Sequence, residues 1–302
     1  MTWLLMLILC MLWGLSFLGT KALLDVLAPM EILAVRWMLA FVMFALLVAF
    51  RVIKVDYRDK PVGKLLVAAA LQPCLYSILE TWGVKLTTAS ETSIFIALVP
   101  LVVVLMNRLF FKRNVNRKVL FAIFLSFAGV LVCVLFSPGF SAGSKLLGYL
   151  ILIGAVTAGS GYTVYSVRIG AKFTPMEITF VLTIAGSVFF NVLSLAEGNG
   201  LRAYAVFFSD FRAMGALLYL GIGCSCVAYM IFNLVLSRLK TEIVATVQTN
   251  LITVIGVVAG ILLGGEPWGW YTAVGLVMTV TGICISALAD SRQEPEYEIK
   301  MK

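Results

Sequence analysis

Pro29-Met30-Glu31-Ile32 returns unchanged in the second half of the chain as Pro175-Met176-Glu177-Ile178. The correspondence continues outward in both directions. Upstream, Gly14, Ser16 and Lys21 line up with Gly161, Thr163 and Arg168. Downstream, Phe127-Ala128-Gly129-Val130 lines up with Val280-Thr281-Gly282-Ile283. Matches that keep their order at a spacing of about 150 residues mark a duplicated unit. The turn-rich stretch from Ser137 to Ser144 separates the copies. The chain therefore divides into a first repeat (1–136), a linker (137–146), a second repeat (147–289) and a polar tail (290–302).

Composition says what each repeat is made of. Of 302 residues, 62% are hydrophobic and only 13% are charged, with a mean hydropathy of +1.04. Soluble domains carry about 25% charge, and disordered chains combine low hydrophobicity with high charge. Both classes are excluded. A membrane β-barrel would alternate apolar and polar residues, whereas Val35 to Phe50 is interrupted only by Arg36. A membrane-crossing helix needs about 20 residues. Apolar spans fall near 2–20, 31–53, 63–83, 88–110, 118–136, 146–168, 175–196, 213–236, 241–263 and 268–289. The expected fold is an all-α integral membrane protein of ten transmembrane helices in two five-helix repeats. Because five is odd, the second repeat is inverted. The basic turn Phe111-Lys112-Arg113-Asn114 and its acidic counterpart Gly264-Gly265-Glu266-Pro267 agree with equivalent turns on opposite sides.

The net charge of +8 is a topological signal rather than a nucleic-acid footprint. With the N-terminus cytoplasmic, Arg51, Lys54, Arg58, Lys60, Lys64, Arg108, Lys112, Arg113, Arg117, Lys118, Arg168, Lys172, Arg238, Lys240, Arg292, Lys300 and Lys302 share one side. The other side holds Lys21, Lys85, Lys145, Arg202 and Arg212. This positive-inside bias places both termini in the cytoplasm. The first span is too long, and too poorly matched to a cleavage site, for a removable signal peptide. There is no histidine. The cysteines (Cys10, Cys74, Cys133, Cys224, Cys226, Cys284) lie in apolar runs without metal-ligand spacing. No metal or cofactor is expected.

Ionisable groups within a bilayer cost roughly 2.5–3.5 kcal/mol each, so they face a cavity or a partner. Arg36, within the second span, is either a cavity cation for an anionic substrate group or one half of an architectural pair. Gln72, Tyr76 and Glu80 recur at i, i+4 and i+8 and share one helical face. Glu80 is a candidate proton-coupling site, because burial favours a neutral carboxyl; alternatively it sits wet at the outer interface. Glu91 opens the fourth span, and Glu31 and Glu177 each follow a Pro-Met, as helix-capping residues do. The ninth span carries Thr246, Thr249, Asn250 and Thr253, with Gln248 on a neighbouring arc; the stripe lines a pathway or bonds to neighbouring helices. Trp13, Tyr162, Tyr165 and Tyr229, with Asn233, add aromatic and polar groups suited to a flat or amphipathic organic molecule. The chain has no Gly-x-x-x-x-Gly-Lys-Ser/Thr, His-Glu-x-x-His or Gly-x-Ser-x-Gly motif, and nothing like a channel filter. An enzyme is not expected.

Four segments resemble the drug/metabolite transporter superfamily, specifically its ten-helix EamA type. They are Trp13-Gly14-Leu15-Ser16-Phe17; Arg36-Trp37-Met38-Leu39-Ala40; Glu80-Thr81-Trp82-Gly83-Val84-Lys85 through Thr88-Ala89-Ser90 to Pro100; and Leu262-Leu263-Gly264-Gly265-Glu266-Pro267. The similarity covers 1–289. The chain departs from the pattern at Phe111-Lys112-Arg113, where many members have Gly-Glu, and at Thr253, where a proline is common. The resemblance implies a secondary active transporter of the inner (plasma) membrane, often an exporter of amino acids, metabolites or drugs. Its substrate would sit in a central cavity lined by helices 1, 3, 4, 6, 8 and 9, and the two halves would rock between inward-open and outward-open states. The residues selected on both grounds are Trp13, Tyr76, Glu80, Tyr162, Tyr165, Tyr229 and Asn250, with Arg36 and Gln72 beside them. A passive facilitator, exchanger or importer on the same fold is the alternative. The expected partners are a small-molecule substrate and the lipid bilayer, no nucleic acid, and at most a weak homodimer.

Overall fold

The computed structural model describes residues 2–111, 117–136, 144–238 and 241–290. The turn residues Lys112, Arg113 and Asn114, most of the linker, Lys240, the side chain of Thr246 and the tail beyond Asp290 lie outside the described residues. The described chain is helical, with no strand among these residues. Its long elements are α1 (Thr2–Leu23), α2 (Pro29–Ala49), α3 (Gly63–Leu86) and α4 (Ala89–Ile96, resuming as Val99–Phe111). There follow α5 (Arg117–Leu135), α6 (Ser144–Ile169), α7 (Pro175–Ala196) and α8 (Phe211–Leu236), then α9 (Thr241–Leu262) and α10 (Trp270–Asp290). A short helix, Arg202–Ser209, precedes α8.

Among the described residues, 7 helices are long and apolar enough to cross a membrane: α1, α2, α3, α4, α6, α7 and α8. Shorter apolar stretches, Phe124–Cys133, Gln248–Leu262 and Trp270–Ile285, lie in α5, α9 and α10. The protein is therefore a multi-pass membrane protein. Exposed leucines, valines and phenylalanines on the outer faces, such as Phe124 and Val188, suit a hydrocarbon solvent in which only backbone-satisfied helices persist.

The recurring Pro-Met-Glu-Ile does the same local work twice. Proline occupies the first turn of α2 and of α7, where its missing N–H costs nothing. Glu31 then accepts the Ala28 N–H at 2.7 Å. Glu177 accepts the Thr174 N–H at 3.0 Å and donates its own N–H to Thr174 Oγ1, a complete capping box. Each glutamate is also gripped by a cation from the distant half. Arg202 reaches Glu31 at 3.3 Å and Lys60 reaches Glu177 at 2.7 Å. Asp56 donates its backbone N–H to Glu177, and Tyr57 donates its hydroxyl to the Glu177 carbonyl. Burial raises the Tyr57 phenol above its ordinary pKa.

These ties stand at opposite ends of α2 and α7, which pack along their length; α5 packs on α10, α1 on α9 and α3 on α6. The α5–α10 contact depends on glycine. A Cβ on Gly129 would stand 2.7 Å from the Gly275 carbonyl oxygen, and one on Gly282 would stand 2.6 Å from that of Ala122. Small residues that let two backbones approach are a general device of membrane helix pairs.

Three helices are not regular, α4 breaking between Ile96 and Val99. A π-helical turn interrupts α3 at Ala70–Leu75, with Gln72 in an extended conformation (φ −141°, ψ 117°) and Pro73 inside. Another interrupts α8 at Tyr219–Val227. In contrast, α9 runs unbroken through Thr253.

Candidate functional site

The irregular turn of α3, through Gln72, borders a cavity of about 100 Å³. Seven helices line it: α1 with Trp13, Ser16 and Phe17, α2 with Arg36, α3 with Gln72, Tyr76 and Glu80, α4 with Ile96 and Val99, α6 with Gly159, Tyr162 and Thr163, α8 with Tyr229, Phe232 and Leu236, and α9 with Gln248, Thr249 and Ile252. Like pockets for small organic molecules, it is mostly apolar with a few placed polar groups.

The aromatic wall is fixed by mutual packing. The Trp13 ring meets those of Tyr229 at 5.1 Å and Phe232 at 5.2 Å between centroids, and Tyr162 stacks with Phe232 at 6.4 Å. The Trp13 indole N–H donates to the Cys224 carbonyl at 3.0 Å, tying α1 to the irregular turn of α8. Tyr162 donates its hydroxyl to Asn233 Oδ1 at 3.2 Å, and Asn233 donates onward to Thr179 at 2.9 Å. Gln72 and Tyr229 are hydrogen-bonded to each other. Tyr76 lies flat against Gly159, where a Cβ would approach the ring to 3.1 Å.

The charged centre is Arg36 with Glu80, 5% and 2% exposed. Arg36 Nε donates to Ser225 Oγ at 2.6 Å. Arg36 Nη1 stands 3.9 Å from Glu80 Oε2, too far for a hydrogen bond. Among the described residues, neither atom has a hydrogen-bond partner. Buried charged groups are normally paired and hydrogen-bonded, because the desolvation cost is otherwise uncompensated. Here a guanidinium N–H and a carboxylate oxygen stand side by side, both unsatisfied, at the edge of a cavity.

Trp13, Arg36, Gln72, Tyr76, Glu80, Tyr162 and Tyr229 are thus brought together around one space. Tyr165 is not: it packs, partly buried, against the hydrophobic core. Asn250 also points elsewhere, its amide nitrogen 3.4 Å from Cys284 Sγ on α10. On α9 the cavity face is the arc of Gln248, Thr249 and Ile252, while Thr253 bonds to the Ser93 carbonyl. Glu80 sits inside the bundle rather than at a wet interface. Phe232, one turn from Tyr229, and Ser225, between Cys224 and Cys226, were not singled out by sequence. Helical spacing would have found the first; only the cross-helix bond to Arg36 reveals the second. Among the described residues, no three His, Cys, Asp or Glu side chains converge as a metal site would require.

The family model described as the EamA-like transporter family matches residues 1–135 and 146–288. The chain belongs to this family. Membership makes it a transporter rather than an enzyme, one that takes a small-molecule substrate within a membrane. An uncharacterized transporter of Bacillus subtilis (strain 168), YcxC, is 26% identical over 273 residues, covering 89% of this chain and 87% of its own. An uncharacterized transporter of Archaeoglobus fulgidus is 28% identical over 292 residues, covering 94% and 96%. The fold is similar to that of a crystal structure with a TM-score of 0.69 at 18% identity, covering 96% of this chain and 98% of that one. None of these likenesses names a substrate.

Proposed function

We propose that this EamA-family protein is a secondary active transporter that exports a small metabolite, such as an amino acid or drug-like organic molecule, by alternating access. It has ten transmembrane helices in two inverted repeats and sits in the inner membrane with both termini cytoplasmic. Two separate matches of the family model, to 1–135 and 146–288, support the duplication. The π-helical stretches of α3 and α8, in corresponding positions of the two halves, support it further, since irregular helices in such pairs border the substrate site of inverted-repeat transporters.

The observation that carries the reading is the unsatisfied Arg36–Glu80 pair facing the cavity. Arg36 offers an N–H to an anionic group of the substrate. Glu80 accepts a donor or a coupling proton. Trp13, Tyr76, Tyr162 and Tyr229 clamp the apolar body, and Gln72 closes the wall beside Tyr229.

The test begins with a thermal-shift screen of purified protein against amino acids, nucleosides, polyamines and common drugs. A ligand at about 100 times its Kd stabilises by roughly 2.7 kcal/mol. A hit is then followed by flux in proteoliposomes with and without a proton gradient. Active export requires the gradient to accelerate flux in the wild type, with Glu80→Gln losing that acceleration and retaining exchange. Gradient-independent flux in the wild type would reject active transport and leave a facilitator.

A further inference from the structure

The cavity does not run evenly through the bundle. At one end its lining reaches Leu236, the last residue of α8. Toward the opposite end, which carries Lys21, it stops at Phe17, Glu80 and Ile96. Beyond that level α4 and α9 close on each other. A Cβ on Gly260 would stand 2.5 Å from Ser90 Oγ, Gly256 packs directly on Ser93, and Thr253 donates to the Ser93 carbonyl at 3.2 Å. Ser93 is fully buried in this seam.

One side chain from the distant half spans the seam. Glu266, in the turn between α9 and α10, accepts the Ala89 N–H at 2.6 Å through Oε1 and the Ser90 N–H at 2.9 Å through Oε2. A carboxylate on the free N–H groups of a helix N-terminus gains both charge-assisted hydrogen bonds and the helix dipole. Gly260 leaves room for it, since a Cβ there would stand 2.5 Å from Oε2. Lys21 closes the preceding helix in the complementary sense, donating to the Val84 and Thr87 carbonyls at 2.9 and 2.6 Å. The tip of the α3–α4 hairpin is thus held by an anion at its helix start and a cation at its helix end.

We propose that Glu266 is the latch of a gate at the Lys21 end, holding the α4–α9 seam shut while the cavity extends toward Leu236. Alternation requires the latch to release, so the seam parts when Glu266 leaves the α4 N-terminus. A glutamine at position 266 removes the charge and turns an N–H donor toward one of the two backbone N–H groups. The balance then moves toward the form open at the Lys21 end. The repeat places Arg168 where Lys21 stands, at the opposite end of the bundle, so a mirrored closure there belongs to the other state.

This inference rests on the alternating-access reading, and its test reads accessibility rather than flux. Ser93→Cys and, separately, Leu236→Cys are placed in the full chain in lipid nanodiscs. Labelling by a membrane-impermeant methanethiosulfonate is followed by mass spectrometry, with the parent chain as background. Adding Glu266→Gln should raise the Ser93→Cys rate about tenfold, as loss of a differential contact shifts a two-state balance, and lower the Leu236→Cys rate. Glu266→Asp should fall between, and Lys21→Met should act in the same direction if Glu266→Gln does not fold. An unchanged Ser93→Cys rate in folded protein overturns the proposal, as does a rise at both ends together. Reciprocal accessibility without substrate flux would sink the transport reading and leave the gate. Substrate flux with fixed accessibility would do the reverse.

Discussion

Breaking the Arg36–Glu80 pair should be costly, and unequally so from its two sides. Two unit charges about 4 Å apart attract by ~4 kcal/mol at an effective dielectric constant of about 20, and the pair stands at 3.9 Å with both groups buried. Removing one partner of a buried pair typically costs about 3–5 kcal/mol, because the other charge is left without compensation. Glu80→Gln strands a guanidinium that cannot lose its proton, with its bond to Ser225 retained. We expect a loss of about 3 kcal/mol at neutral pH. Arg36→Met strands a carboxylate, which can neutralise itself by taking a proton, so its cost should be lower. In the double variant no charge remains, and the cost should fall well short of the sum, by a coupling of about 2 kcal/mol. The assay is an equilibrium unfolding titration of the four proteins in mixed SDS and dodecyl maltoside micelles. Additivity within about 0.5 kcal/mol would show that the two charges do not sense each other and would refute the electrostatic account. A larger loss for Arg36→Met than for Glu80→Gln would refute the asymmetry.

Asn250→Ala and Tyr165→Phe should leave the thermal shift produced by a screening hit unchanged, while Trp13→Ala should abolish it; equal effects would mean that the cavity does not hold the ligand. Gly129→Val should lower stability by about 2–3 kcal/mol, the upper range for overpacking, because its side chain would collide with the Gly275 carbonyl of α10; the same unfolding titration reads it. Lys60→Met should cost only about 0.5 kcal/mol, since Lys60 is part-exposed and solvent screens the pair. Glu177→Gln, which also weakens acceptance of the Thr174 and Asp56 N–H groups, should cost about 1–2 kcal/mol. A Lys60→Met loss exceeding that of Glu177→Gln would contradict the capping assignment.

The long apolar helices were legible because nothing else satisfies a backbone in hydrocarbon, and each hydropathic span has a helix within a few residues of it. The kinks were less so. Pro73 hints at the break in α3, but Tyr219–Val227 contains no proline and reads as ordinary helix. The spacing of Gln72, Tyr76 and Glu80 assumed regular α-helix, and Gln72 is not in it. All three nonetheless border one cavity, because the irregular turn redirects the backbone without turning Gln72 away. On α9 the polar stripe was visible but its facing was not. Which arc meets the cavity depends on Gly14 resting against Ile255 and Gly256 against Ser93, contacts between distant segments that periodicity along one helix does not contain.

The glutamates show the same limit from the other direction. Glu31, Glu91 and Glu177 all read as helix caps, and all three cap. Yet each is also held by a cation from a distant segment: Arg202, Lys145 at the start of α6, and Lys60 respectively. A capping residue satisfied only by its own helix would be indifferent to how the halves are arranged. These carboxylates are not, because a second bond crosses between segments far apart in sequence. Glu31 and Glu177 tie the start of each helix to the segment that follows the other, Arg202 after α7 and Lys60 after α2, which favours that pair as a fixed frame. Glu91 and Glu266 gather at the α3–α4 tip, where the cavity ends. If the halves move, the separation of α2 from α7 should therefore stay constant while the tip of α3–α4 changes its neighbours. Spin labels on Val42 and Val188, both lipid-facing, should keep one distance distribution in wild type and in Glu266→Gln; a second distance appearing with the variant would remove α2 and α7 as the frame.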